Sequence, residues 1–181
     1  MNTNEIKFKA IEYLRKAGLS DDQIARLDHA GFFTAPSSSK HNLAKPGGLA
    51  EHSVHVTDQL LALGAFDNEA SAYRVGMLHD LVECFSYAVD PESGKYISVP
   101  ALYPGHGVAS VLYAHDLGIR HMDAERYAII WHAGTCATDD KRLQASYDIA
   151  KRLFPRQVVL TRAADSLAAL YRDTDKPAKE G

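Results

Sequence analysis

Only two cysteines, Cys84 and Cys136, occur among 181 residues, and they make neither a C-x-x-C pair nor a disulfide framework. A thiolate-bound structural zinc is therefore excluded, and a reducing cytoplasm is the expected compartment. No run of about 18 apolar residues exists, and the amino-terminal MNTNEIKFKAIEYL mixes charge with apolar residues where a secretory signal needs a hydrophobic core. The expectation is a protein that neither spans a membrane nor is exported. There is also no excess of positive charge: 20 Lys and Arg against 23 Asp and Glu give a formal charge of -3, so no basic field is available for duplex DNA or a lipid surface. Repeats and low-complexity tracts are absent as well.

What is present is an ordinary globular composition, 46% apolar and 24% charged, and a length suited to one domain over residues 1–181. Helical periodicity dominates. Ile6, Ala10, Leu14 and Ala17 mark a first helix that stops at Gly18, and Ser20 with Gln23 has capping-box form ahead of a second, the pair spanning 4–31. Residues 32–48, FFTAPSSSKHNLAKPGG, break the pattern and read as a long loop. Stripes then run through Leu49, His52, Val56 and Leu60, and through Ala72, Val75, His79 and Val82. Residues 85–99 place Pro91 to Gly94 between β-rich flanks, a small hairpin inserted in a helical protein. Helices follow over 104–118, over 123–134 from an Asp cap, and in two segments separated by Pro155, completing a helical core over 49–172. The polar tail 173–181 is expected to fray.

Each of several apolar stripes carries an ionisable group. His52, His79, Asp80, His106, His132 and Asp165 combine four imidazoles and two carboxylates, mostly at positions that read as buried. Buried groups of this kind are paired, hydrogen-bonded or metal-bound, because stranding them costs several kcal/mol. Cations reconcile the whole set most simply, and neutral imidazole with carboxylate oxygen suits Mn, Fe, Co, Ni or Zn. Six ligands exceed the usual three or four of one catalytic zinc, so two divalent ions are expected, with the two oxygens of Asp80 as the natural bridge.

The residues that carry this reading, AEHSV (His52), LHD (His79 and Asp80), GHG (His106), WHAG (His132) and RAADSL (Asp165), resemble the HD superfamily of metal-dependent phosphohydrolases. The resemblance covers residues 49 to about 170, with ligand intervals of 27, 27, 26 and 33 residues. It implies an all-α HD/phosphodiesterase-like bundle in which His52, His79 and Asp165 hold one metal, His106 and His132 hold the other, and Asp80 joins them. The loop before His52 also looks like that of a short HD-hydrolase subgroup of bacterial and phage genomes.

On a continuous helix Glu83 lies about 60° from Asp80 and about 40° from His79, so all three can face one pocket. HDLVE resembles the HD-x-x-E of HD nucleotidases, which implies that Glu83 positions or deprotonates the attacking water. Cyclic-dinucleotide and exoribonuclease-like members instead show lysine there, while single-metal nucleotidases lack the counterparts of His106 and His132. The chain thus mixes features of two subgroups. Lys40, His41, Lys45 and Arg162 are candidate substrate contacts, since phosphate needs fixed positive charge; the competing reading of Arg162 is an intrahelical ion pair with Asp165. Tyr87, Tyr96 and Tyr103, in or near the hairpin, are candidates for stacking on a base.

The expected substrate is a small phosphorylated molecule, a nucleotide or short oligonucleotide, with a homo-oligomer allowed. The alternatives are an HD-fold di-iron oxygenase, which uses the same ligands, and a non-catalytic nucleotide-binding module.

Overall fold

The computed structural model describes residues 3–40, 43–100, 105–135 and 140–171. Among these the chain is mostly helical: α1 (Thr3–Lys16), α2 (Asp21–His29), α3 (Gly48–Ala62), α4 (Glu69–Leu78), a short 3-10 helix (Leu81–Phe85), strands β1 (Tyr87–Val89) and β2 (Tyr96–Ser98), α5 (His106–Asp116), α6 (Asp123–Trp131), α7 (Lys141–Leu153) and α8 (Pro155–Tyr171). No helix among the described residues is long and apolar enough to cross a membrane.

Local signals explain most boundaries. Ser20 and Gln23 exchange the two bonds of a capping box, 3.0 Å from the Ser20 N–H to Gln23 Oε1 and 3.3 Å from the Gln23 N–H to Ser20 Oγ. Pro155 opens α8 at a first-turn position that needs no N–H donor. The hairpin pairs antiparallel, Tyr87 with Ser98, Ala88 with Ile97 and Val89 with Tyr96, so Tyr87 and Tyr96 share a face. The expected Asp cap of α6 is displaced by one residue: Met122 is the N-cap, and its N–H donates to Glu125 at 2.9 Å.

α3 is the central post, packed against α1, α4 and α8, while α6 packs on α4, α5, α7 and α8. One apolar cluster joins α1 and α2 to α3 and the end of α4 through Leu14, Leu27, Phe32, Leu49 and Leu78; a second joins α3 to α4, α6 and α8 through Val56, Leu60, Val75, Ile129 and Ala164. Burying each of the larger side chains contributes roughly 1.5–3 kcal/mol. The 32–48 segment is irregular as expected, yet Phe32, Phe33, Ala35, Ser37 and Leu43 are buried, so its described part is packed into the body.

Two glycines set how closely helices approach. A Cβ on Gly76 would meet Thr57 Oγ1 at 2.3 Å and Thr57 Cα at 2.7 Å, and one on Gly107 would meet the Ile129 carbonyl oxygen at 2.2 Å. The α3–α4 and α5–α6 contacts are therefore backbone-close beside His79 and beside His106.

A buried corner, Arg74 and Glu125, ties three parts of the chain together. Glu125 is fully buried and accepts from Arg74 at 2.9 and 3.2 Å, while Arg74 also donates to the Ala17 carbonyl at 3.0 and 2.5 Å. This links the end of α1 to α4 and α6 with a charge-assisted set of hydrogen bonds. His121, between α5 and α6, is half-buried next to this corner.

Candidate metal site

The six residues singled out from the sequence converge on one point from five helices and the junction after α4. His52 lies within α3, His106 is the first residue of α5 and Asp165 lies in the middle of α8. His79 and His132 do not lie within helices as the stripes suggested. α4 stops at Leu78 and α6 at Trp131, and each histidine is the residue immediately beyond.

The reason is visible in the ring contacts. His79 Nδ1 lies 2.9 Å from the Gly76 carbonyl oxygen, and His132 Nδ1 lies 2.6 Å from that of Ile129. A carbonyl only accepts, so Nδ1 of both rings carries the proton. The ring N–H takes a carbonyl that the amide of the next residue would use in a continuing helix. At Asp80 the backbone turns to φ -109, ψ 25, the sparsely populated bridge region, and the 3-10 helix begins. The angular argument for Glu83 on one continuous helix is thereby corrected. Glu83 follows by a tighter turn, with its N–H bonded to the Asp80 carbonyl at 2.9 Å and its side chain buried. Tyr87 Oη, from the hairpin, donates to Glu83 Oε1 at 3.4 Å.

The two oxygens of Asp80 divide the histidines. Oδ1 lies 2.6 Å from His106 Nε2 and 3.0 Å from His132 Nε2; Oδ2 lies 3.3 Å from His79 Nε2 and 3.5 Å from His52 Nε2. Asp165 Oδ1 completes the second side, 3.1 Å from His52 Nε2 and 3.9 Å from His79 Nε2. Two groups result, His52, His79, Asp80 and Asp165, and Asp80, His106 and His132; within each, the donor atoms lie within 4.8 Å of one another. Either group could hold a metal ion.

The donor chemistry fits a cation. With Nδ1–H committed to a carbonyl, His79 and His132 turn Nε2 toward carboxylate oxygens at 3.3 and 3.0 Å, and His79 Nε2 also faces His52 Nε2 at 3.3 Å. A cation among these atoms would take a lone pair from each ring nitrogen and balance the carboxylate charge. Burial pushes the Asp80 carboxyl up, but His79, His106 and His132 around it outweigh burial and hold it well below the usual range. At Asp165 burial again acts upward and the hydrogen bond from His52 acts downward, with a net lowering. Both acids are thus present as carboxylates.

Access is one-sided. His52 and His79 are fully enclosed, whereas the His106 side chain is 38% exposed and that of Asp165 26% exposed.

The candidate substrate contacts are less concentrated. Lys45, exposed, is held by Glu51 at 2.7 Å, one residue before His52. Lys40 is exposed, and His41 lies outside the described residues, as does Tyr103. Arg162 makes no ion pair with Asp165: its Nη1 donates to Tyr147 Oη at 3.3 Å, and its guanidinium covers Gly134, two residues after His132. It has no carboxylate partner among the described residues. Trp131 packs on Tyr147 in a small apolar cluster, an ordinary core role.

Sequence reasoning missed the Arg74–Glu125 corner, because a glutamate in a first helical turn looks like an exposed complement to the helix dipole. The signal that could have found it is Arg74, a charge within the otherwise apolar stripe of α4.

No protein-family model, curated protein or solved structure matches this chain.

Proposed function

We propose that this chain is a metal-dependent phosphohydrolase that cleaves a phosphate ester of a nucleotide or short phosphodiester. The observation that carries the reading is Asp80, whose two oxygens each face a different histidine pair. Two divalent ions, Mn, Fe, Co, Ni or Zn by donor type, would each be held by one of these groups, with Asp80 common to both. The order His, His-Asp, His, His, Asp along the chain, which resembles the HD superfamily, supports the same reading.

When bound, two divalent cations lower the pKa of a shared water and offset the charge of the phosphate and the leaving oxygen. The protein's part is positional. His79 and His132 are fixed by their Nδ1–H bonds to backbone carbonyls, so their Nε2 atoms cannot swing away from Asp80. Glu83 is assigned the proton transfers, accepting from the attacking water and returning the proton to the leaving oxygen. Tyr87 Oη orients its carboxylate from the hairpin side. Arg162, free of carboxylates among the described residues and one turn before Asp165, supplies charge-assisted bonds to non-bridging phosphate oxygens. Lys45 is taken up by Glu51, which leaves Lys40 as the loop's contribution.

The test is metal analysis of the purified protein with an Mn2+-supplemented assay against nucleoside mono- and triphosphates, short RNA and a chromogenic phosphodiester. Asp80→Ala serves as the control and O2 uptake is followed in parallel. Metal-dependent phosphate or nucleotide release that is absent from Asp80→Ala is the expected result. Consumption of O2 without phosphate release would replace hydrolysis by oxygenase chemistry, and bound nucleotide with no turnover would replace it by a binding role.

A further inference from the structure

α5 begins at His106 and α6 ends beside His132, and the two helices pack on each other, so they run antiparallel away from the metal site. Nine to ten residues further along, roughly 13–15 Å at helical rise, lie their opposite ends and the 117–122 connection. A cleft of about 430 Å³ opens there, a volume in the range of small-molecule sites. Its floor is Val111 and Ile119, and its polar wall carries His115, Arg120, His121 and Arg126 with a single acid, Asp123.

The charges in that wall are unevenly satisfied. Asp123 is engaged by Arg126. Arg120 is exposed and has no ion-pair or hydrogen-bond partner among the described residues. His121 Nε2 is shielded from solvent and likewise lacks a hydrogen-bond partner. A polar atom left in that state is costly, so a ligand that bonds to it gains an interaction that water does not supply in its place. The unpaired Arg120 guanidinium and the unpartnered His121 imidazole in one concavity match an oxyanion, and the fork of arginine matches phosphate geometry in particular.

We propose that this cleft binds a small phosphate-bearing anion, held by Arg120 and the ring nitrogen of His121, with the Asp123-paired Arg126 beside them. The occupant is a small molecule because the cleft is of small-molecule size and the chain, with a net charge of -3, carries no overall basic excess for a nucleic acid. Burial pushes the His121 ring down to about 4, so near neutral pH it is an uncharged partner that can offer an N–H or a lone pair without adding charge. The site is separate from the metal cluster and does not depend on the hydrolase reading.

Calorimetric titration with inorganic phosphate and pyrophosphate tests this on wild type, Arg120→Glu and Asp80→Ala. One binding event should persist in Asp80→Ala and weaken by about tenfold or more in Arg120→Glu, the loss of one charge-assisted pair. Arg120 is exposed, so its replacement does not threaten the fold. His106→Ala, at a more open ring, takes the place of Asp80→Ala if the latter fails to fold. The proposal is overturned if Arg120→Glu binds as wild type does, or if every event disappears with Asp80 or His106, since phosphate would then sit only at the metal cluster.

Discussion

Adding one methyl group at Gly76 should damage the metal site without touching any ligand. In Gly76→Ala the new Cβ would lie 2.3 Å from Thr57 Oγ1, 2.7 Å from Thr57 Cα and 2.9 Å from Thr57 Cβ. Thr57 is fully buried and its hydroxyl donates to the Ser53 carbonyl at 2.7 Å, so rotating the side chain breaks a bond and leaves the clash with the Thr57 backbone unrelieved. Carbon atoms at ordinary separation sit about 3.5–4 Å apart, and α3 and α4 must therefore part by roughly 1 Å. Overpacking of this kind costs about 1–3 kcal/mol, offset by the roughly 1 kcal/mol that alanine gains over glycine inside a helix. The net change in urea-unfolding stability is a modest loss of about 0–2 kcal/mol. Metal affinity should suffer more, because His52 on α3 and His79 at the end of α4 face each other across this contact and metal–ligand distances tolerate only about 0.2 Å. A loss of at least about tenfold in affinity, measured by chelator competition, is expected, equivalent to about 1.4 kcal/mol. Wild-type affinity in a folded Gly76→Ala protein would refute the claim that this close helix approach sets the ligand geometry.

Three further outcomes can be checked. Glu83→Gln should keep its metal content and lose about 10²–10⁴ in turnover, and unchanged turnover would assign Glu83 to packing alone. Glu125→Ala strands Arg74 beside the Ala17 carbonyl and should cost about 3–5 kcal/mol in denaturant unfolding; a loss below about 1 kcal/mol would show that the corner is dispensable. His121 has its pKa depressed from 6.5 to about 4, so the unfolded chain takes up a proton before the folded one does. Its contribution is present above 6.5 and is lost as pH falls toward 4; because the ring is partly exposed, the loss between pH 7 and pH 5 is at most about 2 kcal/mol. Stability measured at both pH values in wild type and His121→Gln should differ in slope, and equal slopes would place this ring in water.

The candidate ligand set was legible because ionisable residues inside apolar stripes are rare enough to demand partners, and the stripes themselves located α1, α3 and α4. The capping box of α2 and the hairpin were equally local and equally readable. Helix ends at His79 and His132 were not, because they depend on a ring N–H capturing a carbonyl three residues back, and a stripe continues past such a break without changing period. Burial of Glu125 and His121 follows from α6 docking near Arg74, an approach between residues 51 positions apart that no local pattern records. Nor did spacing separate a substrate arginine from an intrahelical pair. Arg162 turns toward Tyr147 and Gly134 because Asp165 is already committed to His52 and His79.

The division of histidines between the two oxygens of Asp80 also orders events during synthesis. His132 completes the group on Oδ1, whereas the group on Oδ2 waits for Asp165, which emerges from the ribosome last. At about 5–20 residues per second the delay is a few seconds. For that interval the nascent chain holds every residue of one candidate cation group and lacks one residue of the other, and α8 closes a loop of roughly a hundred residues onto α3 when it docks. A metal captured early at His106 and His132 would pin α5 to α6 before α8 arrives, making the cation a participant in the order of assembly.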